Sequence, residues 1–160
     1  MLFRSRDRGL IEPIVSYAQS GRPLLGICLG MQMLATTSEE FGLHEGLGLI
    51  PGEVMAIPNR SIDDQLLKVP FIGWTDIMPA NRKVFASSVL RSDEARGAVY
   101  MVHSFQVHPT NPEHLVATYC FGGHSITAAI QRNNVTGLQF HPERSGSVGL
   151  AIMENFVAQI

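Results

Sequence analysis

Gly26-Ile27-Cys28-Leu29-Gly30-Met31-Gln32 sets one of the chain's two cysteines between glycines. It follows the short apolar run Pro23-Leu24-Leu25. Entered from Gly21-Arg22, that run reads as a buried strand, and Leu29 to about Ser38, free of proline, reads as a helix. A nucleophile on a sharp strand-to-helix turn has its side chain pushed outwards and backbone N–H groups aimed at the reacting oxygen. Glycines on both sides of Cys28 allow such a turn, and a helix N-terminus beside the sulfur favours the thiolate. A buried structural cysteine is the alternative, and the commoner fate of a free thiol.

A thiolate acting on an amide needs a proton donor and acceptor. Of His44, His103, His108, His114, His124 and His141, the last alone sits at a strand end in a compact polar cluster, Gln139-Phe140-His141-Pro142-Glu143. Pro142 forces a turn there, and Glu143 can return to hold the imidazole, which completes a nucleophile, base and orienting group. The chain has no His-Glu-x-x-His, no Cys-x-x-Cys and no glycine-rich phosphate loop, so neither a metal nor a cofactor is expected. His44 to Gly52 reads as a turn segment with no following helix to bind an anion.

The elements that must position Cys28 and His141 follow from composition and periodicity. At 160 residues, 45% hydrophobic and 16% charged, the chain fits one domain with a real core. A formal net charge of −2, without long charged blocks, gives no reason to expect nucleic acid or an anionic membrane as partner. No apolar run approaches the roughly 18 residues of a membrane span. The start, Met1 to Leu10, lacks the apolar core of a signal peptide, so the expected location is the cytoplasm. In that compartment Cys28 and Cys120 are separate thiols, Cys120 reading as core at the end of an apolar strand.

Residues 8–19 read as a helix from the spacing of Leu10, Ile14 and Tyr17, with Pro13 in its first turn and Gly21 as its stop. A strand is expected at Glu53–Ile57, and residues 58–97 read mostly as loop around Lys68–Ile77. The second half is strand-rich: Ala98–Val107, Leu115–Cys120, Ser125–Gln131 and Val135–Phe140, with hairpin turns at Gly122-Gly123 and Asn133-Asn134. A last helix from Gly146 carries Val148, Ile152, Phe156 and Ile160 at i, i+4 spacing, with Ser145 or Ser147 as N-cap. This order indicates an α/β domain with a mixed sheet.

The segments Gly26–Gln32 and Leu138–Glu143 together resemble the paired signature of class I (triad-type) glutamine amidotransferases. Gly9–Ile14, Gly46–Val54, Lys68–Trp74, Tyr100–Phe105 and Gln139–Leu150 further resemble, in order, the glutaminase subunit of imidazole glycerol phosphate synthase in histidine biosynthesis. The likeness runs from about Arg8 to the C-terminus. It implies a mixed, mostly parallel sheet flanked by helices. It also implies that Cys28 attacks the carboxamide of glutamine, His141 protonates the departing ammonia and Glu143 orients His141. By motif position, Leu29 supplies an oxyanion donor, and Gly30, Gln32, Ser104 and Phe105 line the glutamine pocket. The implied partner is a barrel-shaped cyclase subunit, which receives the ammonia and forms imidazole glycerol phosphate and AICAR; segments such as Val69–Trp74 would meet it. Phe71 and Thr75 stand where the family usually has His and Asn. Glutaminase subunits of surface-polysaccharide synthases, and a non-catalytic regulatory subunit, therefore stay open as alternatives. Only about seven residues precede Arg8, where the family has a strand and a Pro-Gly-x-Gly turn, so the resemblance implies a single domain incomplete at its N-terminus.

Overall fold

The computed structural model describes residues 8–160, so the reading of Met1 to Asp7 lies outside the described residues. The first half runs α1 (Ile11–Gln19), β1 (Leu24–Ile27), α2 (Leu29–Met33), β2 (Thr37–Ser38), β3 (His44–Glu45) and β4 (Gly52–Ala56). It continues through β5 (Phe71–Asp76), β6 (Met78–Pro79) and α3 (Arg82–Ala86). The second half is β7 (Ala98–His103), β8 (Phe105–Pro109), β9 (Leu115–Phe121), β10 (His124–Arg132), β11 (Val135–Leu138) and α4 (Gly146–Val157).

The strands form a five-stranded sheet of order β1-β11-β10-β9-β6, a four-stranded sheet β3-β2-β4-β8, and a ribbon β5-β7. The α/β class and the mixed sheet are as the sequence implies, but the expectation of mostly parallel pairing is corrected. Among the described residues, only β1 with β11 and β2 with β4 run parallel; the other six pairings are antiparallel. The cause is local. Gly122 and Gly123, both at positive φ (58° and 85°), close a tight hairpin between β9 and β10. Asn133 (φ 53°) turns β10 back into β11, and such two-residue turns join antiparallel neighbours only.

The large sheet is buried on both sides. Leu24 and Val135 face a cluster with Ala18, Met31, Leu34, Val54 and Val107, while Leu25 and Leu138 face one with Phe85, Val99, Tyr119, Phe140 and Ile152. This alternation is the period of two that a strand imposes. α2 lies tight against the first face. A Cβ at Gly137 would come within 2.7 Å of Met31 Cγ, and one at Gly26 within 2.7 Å of the Gly30 carbonyl carbon.

Several elements differ from expectation for reasons that lie far along the chain. The helix after Cys28 ends at Met33, well before Ser38, because residues 46–50 take its last carbonyls. Leu47 N–H donates to Met33 O (2.8 Å), Gly48 N–H to Ala35 O (3.0 Å) and Ile50 N–H to Leu34 O (3.0 Å). Thr37 and Ser38 then pair with β4. The expected strand 98–107 is broken at Ser104, so β7 pairs with β5 and β8 with β4. Helix α3 lies inside the expected loop; its signal is Asn81, whose Oδ1 accepts from Lys83 N–H (3.0 Å) and Val84 N–H (3.3 Å), an N-cap arrangement. Cys120 is exposed rather than core, since it lies next to the Gly122-Gly123 turn. Ile160 is also exposed, because α4 stops at Val157.

Candidate active site

β1 and β11 pair in parallel from Leu24 with Val135 to Ile27 with Leu138, so the residues that follow each strand emerge at the same end of the sheet. Cys28 follows β1 directly, and its N–H donates to Leu138 O (2.7 Å). Its backbone lies at φ 50°, ψ −107°, a left-handed conformation costing a non-glycine residue about 1–3 kcal/mol. The turn is therefore sharp, as the sequence implies, though only one flanking glycine is needed for it. Gly26 has no room for a Cβ, whereas nothing lies within 4 Å of one built on Gly30.

Burial pushes the Cys28 thiol up from its ordinary value; the Leu29 backbone N–H pulls it down, and the carboxylates of Glu143 and Glu40 push it up further. The N–H at the start of α2 acts in the expected direction, towards the thiolate. α2 has five residues, and desolvation outweighs what so short a helix supplies at its N-terminus. The sulfur lies 3.9 Å from Val102 O, which can accept its S–H. It lies 3.7 Å from Gln139 Nε2, which donates to it.

His141 is held from both sides. Its N–H donates to Tyr100 O (2.9 Å), while Ser145 Oγ donates to His141 O (2.7 Å) and accepts from Tyr100 N–H (3.0 Å). Ser145 does precede α4, but it makes no side-chain cap; its hydroxyl ties the His141 loop to β7 instead. The His141 side chain is 22% exposed and its Nδ1 lies 2.6 Å from Glu143 Oε1. A carboxylate only accepts, so Nδ1 carries the proton and Nε2 is left as the basic nitrogen. No partner engages Nε2 among the described residues.

The residues assigned to the glutamine pocket divide by what they touch. Leu29 directs its N–H at the sulfur, and Gly30 leaves open space beside it. Ser104 sits at the break between β7 and β8, its carbonyl accepting from Ile57 N–H (2.9 Å). Phe105 opens β8 opposite Ala56. Gln32 is buried, and its Nε2 donates to Phe105 O (3.2 Å) and to Gln139 Oε1 (3.2 Å). Its Oε1 accepts from no donor among the described residues. In the sequence Gln139 stands out only as part of the Gln139–Glu143 motif. Its neighbour His141 was the one available signal, since nothing in the strand pattern shows that its amide reaches the sulfur.

Among the described residues, no three of His, Cys, Asp and Glu converge to hold a metal ion, and no helix is long and apolar enough to cross a membrane. Beside the site, Ile72 (58% exposed) and Trp74 (56%) present an apolar face on β5. Trp74 packs edge-on against Tyr100 at 6.0 Å, and the Arg144 guanidinium lies 4.2 Å from the centre of that ring. Phe71 turns inward onto Tyr119 (5.0 Å) and Phe121 (5.2 Å).

The family model for glutamine amidotransferase class-I matches residues 3–160. The chain is 47% identical over 148 residues to imidazole glycerol phosphate synthase subunit HisH 1 of Legionella pneumophila (strain Lens), covering 92% of this chain and 70% of that protein. It is 46% identical over 149 residues to subunit HisH of Syntrophotalea carbinolica, with the same coverage. Among solved structures, a glutamine amidotransferase from Thermotoga maritima aligns with a TM-score of 0.54 at 23% identity, covering 98% of this chain and 53% of that one. A second glutamine amidotransferase structure aligns at 0.59 and 16% identity, covering 96% and 71%. At such identities the solved structures speak for the fold alone. The family match over residues 3–160 and the HisH relatives speak for descent: the chain belongs to the class I glutamine amidotransferases.

Proposed function

We propose that the chain is a glutaminase subunit that releases ammonia from glutamine for imidazole glycerol phosphate synthesis. The observation that carries this reading is the pairing of β1 with β11. It puts Cys28, on its strained turn, and the His141–Glu143 pair at one end of adjacent parallel strands.

In this reading His141 Nε2 takes the Cys28 proton, and the thiolate attacks the side-chain carbonyl carbon of glutamine. The oxyanion that forms is met by the Leu29 N–H. As the C–N bond breaks, His141 returns the proton to the departing nitrogen, and ammonia leaves a glutamyl thioester on Cys28. Water, deprotonated by His141, then attacks the thioester, and glutamate leaves as the thiol re-forms. Glu143 keeps the imidazole in the tautomer that both transfers need. Gln32 Oε1 receives the α-ammonium of glutamine, and Gly30, Ser104 and Phe105 complete the pocket. Residues 1–160 belong to a single glutaminase domain.

The ammonia passes to a barrel-shaped cyclase subunit in a cytoplasmic heterodimer, where imidazole glycerol phosphate and AICAR form. Support for that contact comes from the exposed Ile72 and Trp74, since adjoining exposed apolar side chains mark contact surfaces. Trp74 also leads through Tyr100 to the loop that holds His141. The test is glutamate release from glutamine with the cyclase subunit of a HisH relative present. Cys28→Ser reduces it to background and Trp74→Ala weakens the cyclase's effect. Turnover that survives Cys28→Ser, or no covalent labelling of Cys28 by a glutamine chloroketone, would overturn the reading.

A further inference from the structure

The orientation of a buried amide beside Cys28 can be worked out from the one partner that has no freedom. Phe105 O is a backbone carbonyl and can only accept, so the group of Gln32 at 3.2 Å from it must be the NH2. The second N–H of that same nitrogen donates across 3.2 Å to Gln139, which must therefore turn its Oε1 towards Gln32. Gln139, fully buried, is left with its own NH2 facing Sγ at 3.7 Å. Flipping either amide would set two acceptors or two donors against each other. The polarity is thus passed from Phe105 through Gln32 and Gln139 to the sulfur.

Two further groups facing the sulfur separate its protonation states. Val102 O, at 3.9 Å, can accept from the S–H and so favours the thiol. Gln139 and the Leu29 N–H donate, and a donated bond is stronger to an anionic acceptor than to a neutral one. From this geometry we infer that Gln139 is a positioning residue for Cys28: its carboxamide, oriented by Phe105 through Gln32, stabilises the thiolate that forms when the proton leaves, against the thiol that Val102 O favours. The assignment rests on Cys28 being the nucleophile of the proposed reaction. It also accounts for how a thiol raised by burial and by Glu143 and Glu40 can be made to ionise.

The test reads ionisation rather than turnover. The full chain, carrying Cys120→Ser because Cys120 is exposed and would react too, is alkylated with iodoacetamide across pH 6 to 11.5. The rate at Cys28 is followed by peptide mass spectrometry. Gln139→Met keeps the length and removes the amide. The midpoint of the profile should rise by about one pH unit, so that alkylation near pH 7 slows about tenfold. Gln32→Met is the second variant, needed because a core change at Gln139 can impair folding. It removes the donor that fixes the Gln139 oxygen without adding a charge, so the Gln139 amide is free to turn and the midpoint rises by less than in Gln139→Met. A purely structural role predicts loss of thermal stability with the midpoint unmoved. A folded variant of either kind with the parent's midpoint overturns the assignment. If the midpoints shift but the parent chain turns over no glutamine, the orientation of Gln139 stands and the glutaminase reading fails.

Discussion

His103 and His141 occupy similar places, one closing β7 and the other just beyond β11, and each directs Nδ1 at an acceptor. They differ at the other nitrogen. His103 Nδ1 donates to Phe105 O (2.8 Å), and its Nε2 accepts from Tyr119 OH (2.9 Å). Burial pushes the tyrosine's ionisation well above its ordinary range, so it stays a donor. Burial also pushes the His103 imidazolium's pKa down, and Phe71 and Tyr119 pack edge-on against the ring. His103 is a closed circuit that joins β7, β8 and β9 and has no nitrogen left for a reaction. His141 is partly exposed and has Nε2 open. The difference teaches that a histidine becomes available for proton transfer when its second nitrogen is unengaged, and a strand-end position supplies no such guarantee.

The largest expected effect tests the open histidine. His141→Ala should lower glutamate release by about 10²- to 10⁴-fold, the usual contribution of a positioned acid and base, with little change in the urea midpoint. Loss of stability in place of activity would make the two histidines alike. The reciprocal change, His103→Ala, strips partners from Tyr119 OH and Phe105 O and leaves a void. It should cost on the order of 3 kcal/mol in urea unfolding. Per folded molecule, glutamine turnover should fall by much less than in His141→Ala.

The smallest effect sharpens the contrast through pH. A histidine whose folded pKa is depressed binds its proton more readily in the unfolded chain. His103 therefore contributes full stability above the unfolded value of about 6.5, and that contribution is lost as pH falls from there towards the depressed folded value. Thermal midpoints should decline over that window in the parent and decline less steeply in His103→Gln. Equal slopes in the two proteins would show that His103 is not the group responsible.

Much of the architecture was legible because it is written in local chemistry. Gly21, at φ 80°, stops α1 as expected, and Gly122-Gly123 and Asn133-Asn134 make the expected hairpin turns. Ile152 is buried on α4, with Val148 and Phe156 packed on the same core. What stayed hidden depended on partners far along the chain. The early end of α2 comes from the amides of residues 46–50, and the break at Ser104 comes from β7 and β8 entering different sheets. Of the two expected caps, Ser145 and Ser147, Ser145 stands at the N-cap position of α4 but makes no cap bond; its hydroxyl goes to Tyr100 and His141, a use that only the packing of β7 beside that loop creates.

The sequence by itself determined which side chains could do chemistry: a cysteine on a strand-to-helix turn, and a histidine with a carboxylate two residues on. Both signals are short-range, set by the lack of a Cβ at Gly26, which lets the chain fold back onto Gly30, and by the bend that Pro142 imposes. Tertiary structure decided whether those groups share a site and in what ionisation state they stand. The parallel register of β1 and β11 put Cys28 and His141 at one end of the sheet. Burial then raised the Cys28 thiol, and the Gln32–Gln139 relay set the polarity facing it. Register, desolvation and amide orientation are properties of contacts between distant segments, and so they exist only once the chain has folded.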